Sequence, residues 1–288
     1  MVPGAAKYFL VIGTMKGGTT SLYSYLKQHP DLDVCRVKEL NFFNNDTHWA
    51  MGKDWYERHF RCDGKPRCDV NPNYAMYPFC QAVPERLFEI EPEARLIYVL
   101  RDPIERAVSH MQHYVSDGID QRSVAEIMAD LHAGEDPYGY LTFSRYHQQL
   151  ERFQRLFPME HILLLRSEEL RQNREQTMRR LYSFMNVPFA DGAYLDEEQN
   201  QSGRKRTHPR WMKRLFQHRT IGGFVHTVVL WVKRLLPPFL YDKGRSLISS
   251  KPNPVTLTEA DRRFLHKSLA EDWKKMESWL AQVCGKSA

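Results

Sequence analysis

Cysteine is scarce in this chain of 288 residues, and what there is does not come in ligand pairs. The five cysteines (Cys35, Cys62, Cys68, Cys80 and Cys284) are odd in number and include no C-x-x-C spacing. A disulfide framework and a zinc site are therefore not expected, nor is any other metal site. Cys62 and Cys68 are close enough in sequence to pair, but reduced intracellular thiols are the simpler expectation. Long apolar runs are also missing. The longest apolar region, residues 221–240, is interrupted by His226, Lys233, Arg234, Pro237 and Pro238. No stable membrane insertion is expected from such a stretch. The opening MVPGAAKYFLVIG lacks a basic segment ahead of a long apolar core, so it does not read as a secretory signal. There is no internal repeat and no low-complexity linker. A cytoplasmic location is the resulting expectation.

Ordinary globular material makes up the rest. Hydrophobic residues are 42% and charged residues 26%, which excludes disordered and collagen-like classes. A chain of this length buries enough surface for a large core without staples. The 41 Lys and Arg against 35 Asp and Glu leave a net charge of +6. That excess suits an anionic ligand, a nucleic acid or an anionic surface, and equally suits plain solubility.

The apolar patterning alternates between strands and helices. Residues 7–13 (KYFLVIG), 95–100 (RLIYVL) and 161–166 (HILLLR) read as buried strands, with shorter ones at 32–36 and 67–70. Helical spacing covers 21–28, 53–60, 82–90, 103–116, 123–131, 144–156 and 175–185. Asp102 is placed to cap the fourth of these, with Pro103 in its first turn. The final helix opens on a Thr258-x-x-Asp261 capping pattern and runs to about 283. This alternation predicts an α/β fold with a central, mostly parallel sheet flanked by helices. One domain over 1–288 is expected, with a helical portion from about 200.

Two segments carry chemistry. The first is the loop Gly13-Thr14-Met15-Lys16-Gly17-Gly18-Thr19-Thr20-Ser21 between the first strand and helix. Glycines let backbone N–H groups approach an anion, the helix end adds positive potential, and the hydroxyls and Lys16 add donors. Gly13 and Gly18 keep the Walker spacing, but Thr19 stands where that motif has lysine, so the loop is not built for a nucleoside triphosphate. The second is Arg101-Asp102-Pro103 at the end of RLIYVL, followed by Arg106 and Ser109. Ligands of open α/β sheets collect beyond the carboxyl ends of strands, where Arg101 and Ser109 could clamp a second phosphate. An alternative role for Arg101 is an ion pair with Asp102 or a neighbour.

Together, K-G-G-T-T-S after a first strand and R-D-P-x-x-R-x-x-S after a later one resemble the sulfotransferases that use 3′-phosphoadenosine 5′-phosphosulfate (PAPS). The resemblance implies a P-loop-like sulfotransferase fold. It implies that Lys16, Gly17, Gly18, Thr19, Thr20 and Ser21 hold the 5′-phosphosulfate, and Arg101 and Ser109 the 3′-phosphate. Lys38-Glu39-Leu40-Asn41-Phe42-Phe43, His29-Pro30-Asp31 and Asp54-Trp55-Tyr56 are similar to the heparan sulfate branch. Ser202, Gly203, Arg204 and Lys205 resemble the late loop that closes over the nucleotide in that family. Heparan-type enzymes carry a lysine two residues before the proline of the segment reading Asp69-Val70-Asn71-Pro72 here. This chain has Val70 there, with Lys38 or Lys205 as substitutes.

The implied reaction moves a sulfuryl group in line to a hydroxyl or amine of a small-molecule acceptor and releases adenosine 3′,5′-bisphosphate (PAP). Lys16 is the candidate for leaving-group charge. Glu39 is the candidate base by resemblance. His113, one helical turn past Ser109, is the second candidate. Competing readings are a P-loop kinase and a non-catalytic anion or nucleic-acid binder built on the basic tract 204–219. No nucleic-acid partner is expected under the leading reading. Phe42, Phe43, Trp49, Trp55, Tyr74 and Tyr77 are candidates for an acceptor cleft or for core.

Overall fold

The computed structural model describes residues 7–190 and 254–285. These fall into two compact units. The larger holds residues 7–110, 130–190 and 258–285, and the smaller holds 111–129 and 254–257.

In the larger unit, five strands form one sheet: β1 (Tyr8–Gly13), β2 (Asp33–Val34), β3 (Arg67–Val70), β4 (Arg95–Leu100) and β5 (Ile162–Arg166). Their order is β2-β3-β1-β4-β5, and every pairing is parallel. The expected mostly parallel sheet is thus parallel throughout these strands. Parallel strands need covered faces, which explains why their sequences are continuous apolar runs. One face sets Tyr8, Leu10, Ile12, Leu96, Tyr98 and Leu164 against Tyr56, Leu87, Leu150, Phe153, Met276 and Trp279. The other sets Phe9, Val11, Ile97, Val99 and Leu165 against Leu22, Leu26, Met178, Leu181 and Met185.

The strand order fixes where a ligand belongs. From β1 the chain passes through helix α1 (Thr19–Gln28) to β2 and β3 on one side. It then crosses to β4 and β5 on the other side. Connections leaving β1 and β4 diverge, and such a switch point opens a crevice at the carboxyl ends of the two strands. The glycine loop and Arg101 both stand at that edge.

Helix boundaries follow local chemistry. Helix α1 begins at Thr19, two residues before the sequence expectation, so Thr19 and Thr20 belong to its first turn. Short helices α2 (Asp46–Ala50) and α3 (Gly52–Glu57) follow β2, and α4 (Val83–Ile90) precedes β4. Helix α5 (Pro103–Asp117) is capped as expected, with Asp102 Oδ1 accepting from the N–H groups of Ile104 (3.0 Å) and Glu105 (2.8 Å). Helices α6 (Val124–His132), α7 (Tyr146–Gln154), α8 (Ser167–Gln172) and α9 (Arg174–Met185) complete the series before residue 190. The last described helix, Glu259–Gly285, opens on the predicted capping box. Thr258 N–H donates to Asp261 Oδ2 at 2.9 Å, and Asp261 N–H donates to Thr258 Oγ1 at 3.1 Å.

In the smaller unit the end of α5 turns at Gly118, where Ile119 N–H donates to Tyr114 O at 2.9 Å. Arg122 then clamps the Asp120 carboxylate through Nε and Nη2, at 3.0 and 2.7 Å. Among the described residues, no helix is long and apolar enough to cross a membrane. Cys35, Cys62, Cys68 and Cys80 are free thiols, so Cys62 and Cys68 do not pair.

Candidate functional site

Close packing shapes the glycine loop. A Cβ on Gly13 would lie 2.2 Å from Cε2 of the buried Tyr98, so only glycine fits where β1 passes the β4 ring. A Cβ on Gly17 would meet Thr14 Cγ2 at 2.9 Å and the carbonyls of Thr14 and Val99 at 3.0 Å. Thr14 N–H donates to Val99 O at 3.2 Å, and Gly17 N–H donates to Thr14 O at 3.0 Å. The loop is thereby folded back on itself against β4. Lys16 (φ 70°) and Gly18 (φ 97°) take the left-handed conformation. Gly18 caps α1, and no side chain caps that helix. First-turn N–H groups without a side-chain cap are a donor set suited to an anion, and Thr20 and Ser21 stand in that turn. The donor chemistry of the loop therefore suits a phosphate or sulfate.

Arg101 completes this edge. Its Nη1 donates to the carbonyl oxygen of Lys16 at 3.1 Å. The pairing with Asp102 weighed above is replaced by a bond into the loop. Burial, with the nearby Arg171 adding repulsion, lowers the Arg101 pKa from its ordinary value. A guanidinium remains a cation at neutral pH nonetheless. Ser109 is half-buried two turns along α5.

Arg106, between them in the motif, does other work. It is fully buried, its Nε donates to Ser144 Oγ at 2.6 Å, and its Nη2 donates to Tyr140 O. His110 packs beside it, 4.8 Å from the Tyr140 ring. Arg106 thereby ties α5 to the segment 140–144.

Glu39 arrives at the carboxyl end of β3, next to β1. Its N–H donates to Val70 O at 3.1 Å, and its backbone is left-handed (φ 58°). Its carboxylate is ion-paired with Lys38 and is 39% exposed, which leaves it accessible to an incoming group. Lys38 is thus committed to Glu39. His113 lies in the smaller unit, where its Nδ1 is 3.3 Å from Asp117 Oδ2. Ser202, Gly203, Arg204 and Lys205 lie outside the described residues, as do the basic tract and residues 224–236.

The aromatic candidates divide. Phe42, Phe43 and Tyr74 are fully buried core: Phe42 stacks on Tyr56 at 4.5 Å between ring centroids, Phe43 meets Tyr56 edge-on at 5.3 Å, and Tyr74 meets Phe43 edge-on at 5.3 Å. Trp49, Trp55 and Tyr77 are partly exposed. Sequence reasoning missed Tyr98, the floor under Gly13, and the asparagines Asn41, Asn71 and Asn73 beside Glu39. Nothing in the Asn71-Pro72-Asn73 sequence announces a partner near residue 41.

Comparison with known proteins agrees with this geometry. Residues 7–216 match the family described as the sulfotransferase domain. Heparan sulfate glucosamine 3-O-sulfotransferase 5 from Mus musculus is 26% identical over 186 residues, covering 62% of this chain and 53% of that protein. The bifunctional heparan sulfate N-deacetylase/N-sulfotransferase of Drosophila melanogaster is 27% identical over 219 residues, covering 64% of this chain and 20% of that protein. The chain thus spans about half the length, or less, of these curated relatives. Among solved structures, a sulfotransferase from Alicyclobacillus acidocaldarius superposes with a TM-score of 0.55 at 26% identity, covering 66% of this chain and 85% of that one. With a match across most of its length, a glycine loop facing the β1/β4 switch point and Arg101 bonded into it, the chain belongs to the sulfotransferase domain family.

Proposed function

We propose that the chain transfers a sulfuryl group from PAPS to a hydroxyl or amine of a small-molecule acceptor and releases PAP. The observation that carries this reading is the bond from Arg101 to the Lys16 carbonyl. It joins the two anion-holding motifs into one cationic edge, as a donor bearing phosphate at both ends requires.

The donor supplies an electrophilic sulfuryl group and a phosphate that gains charge as it leaves. The α1 N-terminus and the hydroxyls of Thr20 and Ser21 hold the sulfate-bearing end. Lys16 stabilises the charge that develops there, and its fixed place in a folded loop avoids reorganisation during reaction. Arg101 and Ser109 hold the 3′-phosphate. Glu39 takes the acceptor proton, standing at the neighbouring strand end with its carboxylate accessible. His113 is the weaker candidate base, because Asp117 engages its ring. Position and electrostatics supply most of the acceleration, as in phosphoryl transfer. Relatives named for 3-O- and for N-sulfation support a hydroxyl and an amine alike as acceptor.

The test is calorimetric titration with PAP in the absence of magnesium. Micromolar binding that Arg101→Ala abolishes is expected. A protein that ignores PAP but binds single-stranded nucleic acid with steep salt dependence would overturn the reading.

A further inference from the structure

Glu39 and Asn41 are both left-handed, at φ 58° and 57°, without the freedom of glycine. Two such residues so close together persist only when their surroundings hold them. The surroundings here are amides. Asn41 Nδ2 donates to the backbone carbonyl of Glu39 at 2.8 Å. Asn41 Oδ1 accepts from Asn44 Nδ2 (3.1 Å), Asn71 Nδ2 (3.1 Å) and Asn73 Nδ2 (3.2 Å). Three donors converging on one atom also settle which way the Asn41 amide points, since a flip would set donor against donor. Asn71 is fully buried, and its N–H donates to Val11 O at 2.9 Å, two residues before the glycine loop. The Glu39 peptide is therefore clamped at both ends. Its N–H is held by the end of β3, and its carbonyl by an amide tied to the end of β1.

We infer that Asn41 is the positioning residue for Glu39, holding the candidate base in register with the phosphate loop through Asn71 and Asn73. The inference rests on the reading of Glu39 as base. Asn41 touches neither donor nor acceptor in this role. A side chain is needed as well as a permissive backbone, and that separates the idea from simple turn chemistry.

Asn41→Gly makes the separation, because glycine accepts the left-handed backbone but removes every bond of the Asn41 side chain. Turnover of labelled PAPS is measured with the fastest acceptor from a panel of glucosamine oligosaccharides and phenols, alongside PAP affinity by calorimetry. The expected result is a fall in kcat of about 10-fold to 100-fold with PAP affinity unchanged, in line with the known cost of small misplacements. Exchange of the Glu39 amide, followed by NMR, is expected to quicken at least about 10-fold as its shelter loosens. Asn41→Asp keeps an acceptor oxygen for the three amides but turns a carboxylate oxygen toward the Glu39 carbonyl, so the hold on that carbonyl is lost. It tolerates the same backbone, serves where the glycine variant fails to fold, and is likewise expected to lower kcat with PAP affinity unchanged.

An Asn41→Gly enzyme with parental kcat and amide exchange, set beside an inactive Glu39→Gln, overturns the inference and leaves the base reading standing. Equal losses of kcat and PAP affinity overturn it too, since the cluster then merely supports the loop. A fully active Glu39→Gln removes the base reading, and the inference with it.

Discussion

Two neighbouring stretches of one sheet edge are built by opposite means. At β1 and β4 the cradle is made of main chain: Gly13 pressed on a tyrosine ring, Gly17 on the Thr14 and Val99 carbonyls, a left-handed Lys16, a helix end with no side-chain cap and one guanidinium on a carbonyl. At β3 the surface around Glu39 is made of side chains: an amide cluster, an ion pair and, below them, a buried carboxylate holding two tyrosines. A backbone cradle offers the same donors to any phosphate and allows few substitutions. A surface cross-linked by side chains is easily rebuilt, which suits the half proposed to meet a variable acceptor.

The largest expected effects fall on the backbone half. Lys16→Ala should lower turnover by about 100-fold or more, because it removes charge stabilisation needed only as the bond breaks. Arg101→Ala should do comparable damage, but in two parts. A donor lacking the 3′-phosphate, adenosine 5′-phosphosulfate, isolates the second part. If Arg101 also steadies Lys16 through its carbonyl, the variant stays slower than the parent with that donor. Equal rates would confine Arg101 to phosphate binding. Gly13→Ala forces a methyl into the Tyr98 ring and should cost roughly 1–3 kcal/mol of stability together with PAP binding. Gly13→Ala with Tyr98→Leu should recover part of both, as read by thermal melts and calorimetry.

This contrast also explains what was legible in the sequence. β4 was read to the residue because RLIYVL is a buried run closed by Asp102 and Pro103, all of it local information. The glycine loop was legible for the same reason: its residues are contiguous and their spacing is the chemistry. Helices α2 and α8, five and six residues long, are too short to show a period and were not anticipated. The strand order was inaccessible, since no local pattern says that β3 returns beside β1. Asn41 was quoted only inside a motif; its function depends on Asn71 and Asn73, 30 and 32 residues away. Side-chain clamps between distant segments leave no periodic trace.

The side-chain half should also be the one that answers to pH. Asp69, on β3, is fully buried and accepts from the hydroxyls of Tyr74 (2.7 Å) and Tyr56 (3.2 Å). Burial pushes its pKa up to about 6, with the two tyrosine bonds opposing the rise. A carboxyl raised on folding binds its proton more tightly in the native state. Its contribution is therefore fully present below the unfolded value near 3.8 and is lost as pH climbs through about 6. The difference amounts to at most about 3 kcal/mol. Asp69→Asn should melt higher than the parent above pH 6, with the gap closing towards pH 4. A gap that is constant with pH would show that Asp69 does not titrate with folding.

A smaller effect, at a helix cap rather than in either half, sets the scale for ordinary structural damage. Asp272, in the last described helix, accepts from the N–H groups of His147 and Gln148, each at 3.0 Å. It caps α7 from 124 and 125 residues away, with no capping residue in the local sequence to reveal it. Asp272→Ala should cost about 1 kcal/mol, the usual loss of a helix cap, and lower the melting temperature by a few degrees. With Arg101 still bonded to the Lys16 carbonyl and the amide cluster intact, the variant should leave PAP affinity and kcat unchanged below its melting point. A loss of kcat in Asp272→Ala as large as that in Asn41→Gly would mean that general loosening of this core disables the enzyme. The amide cluster would then have no privileged hold on Glu39.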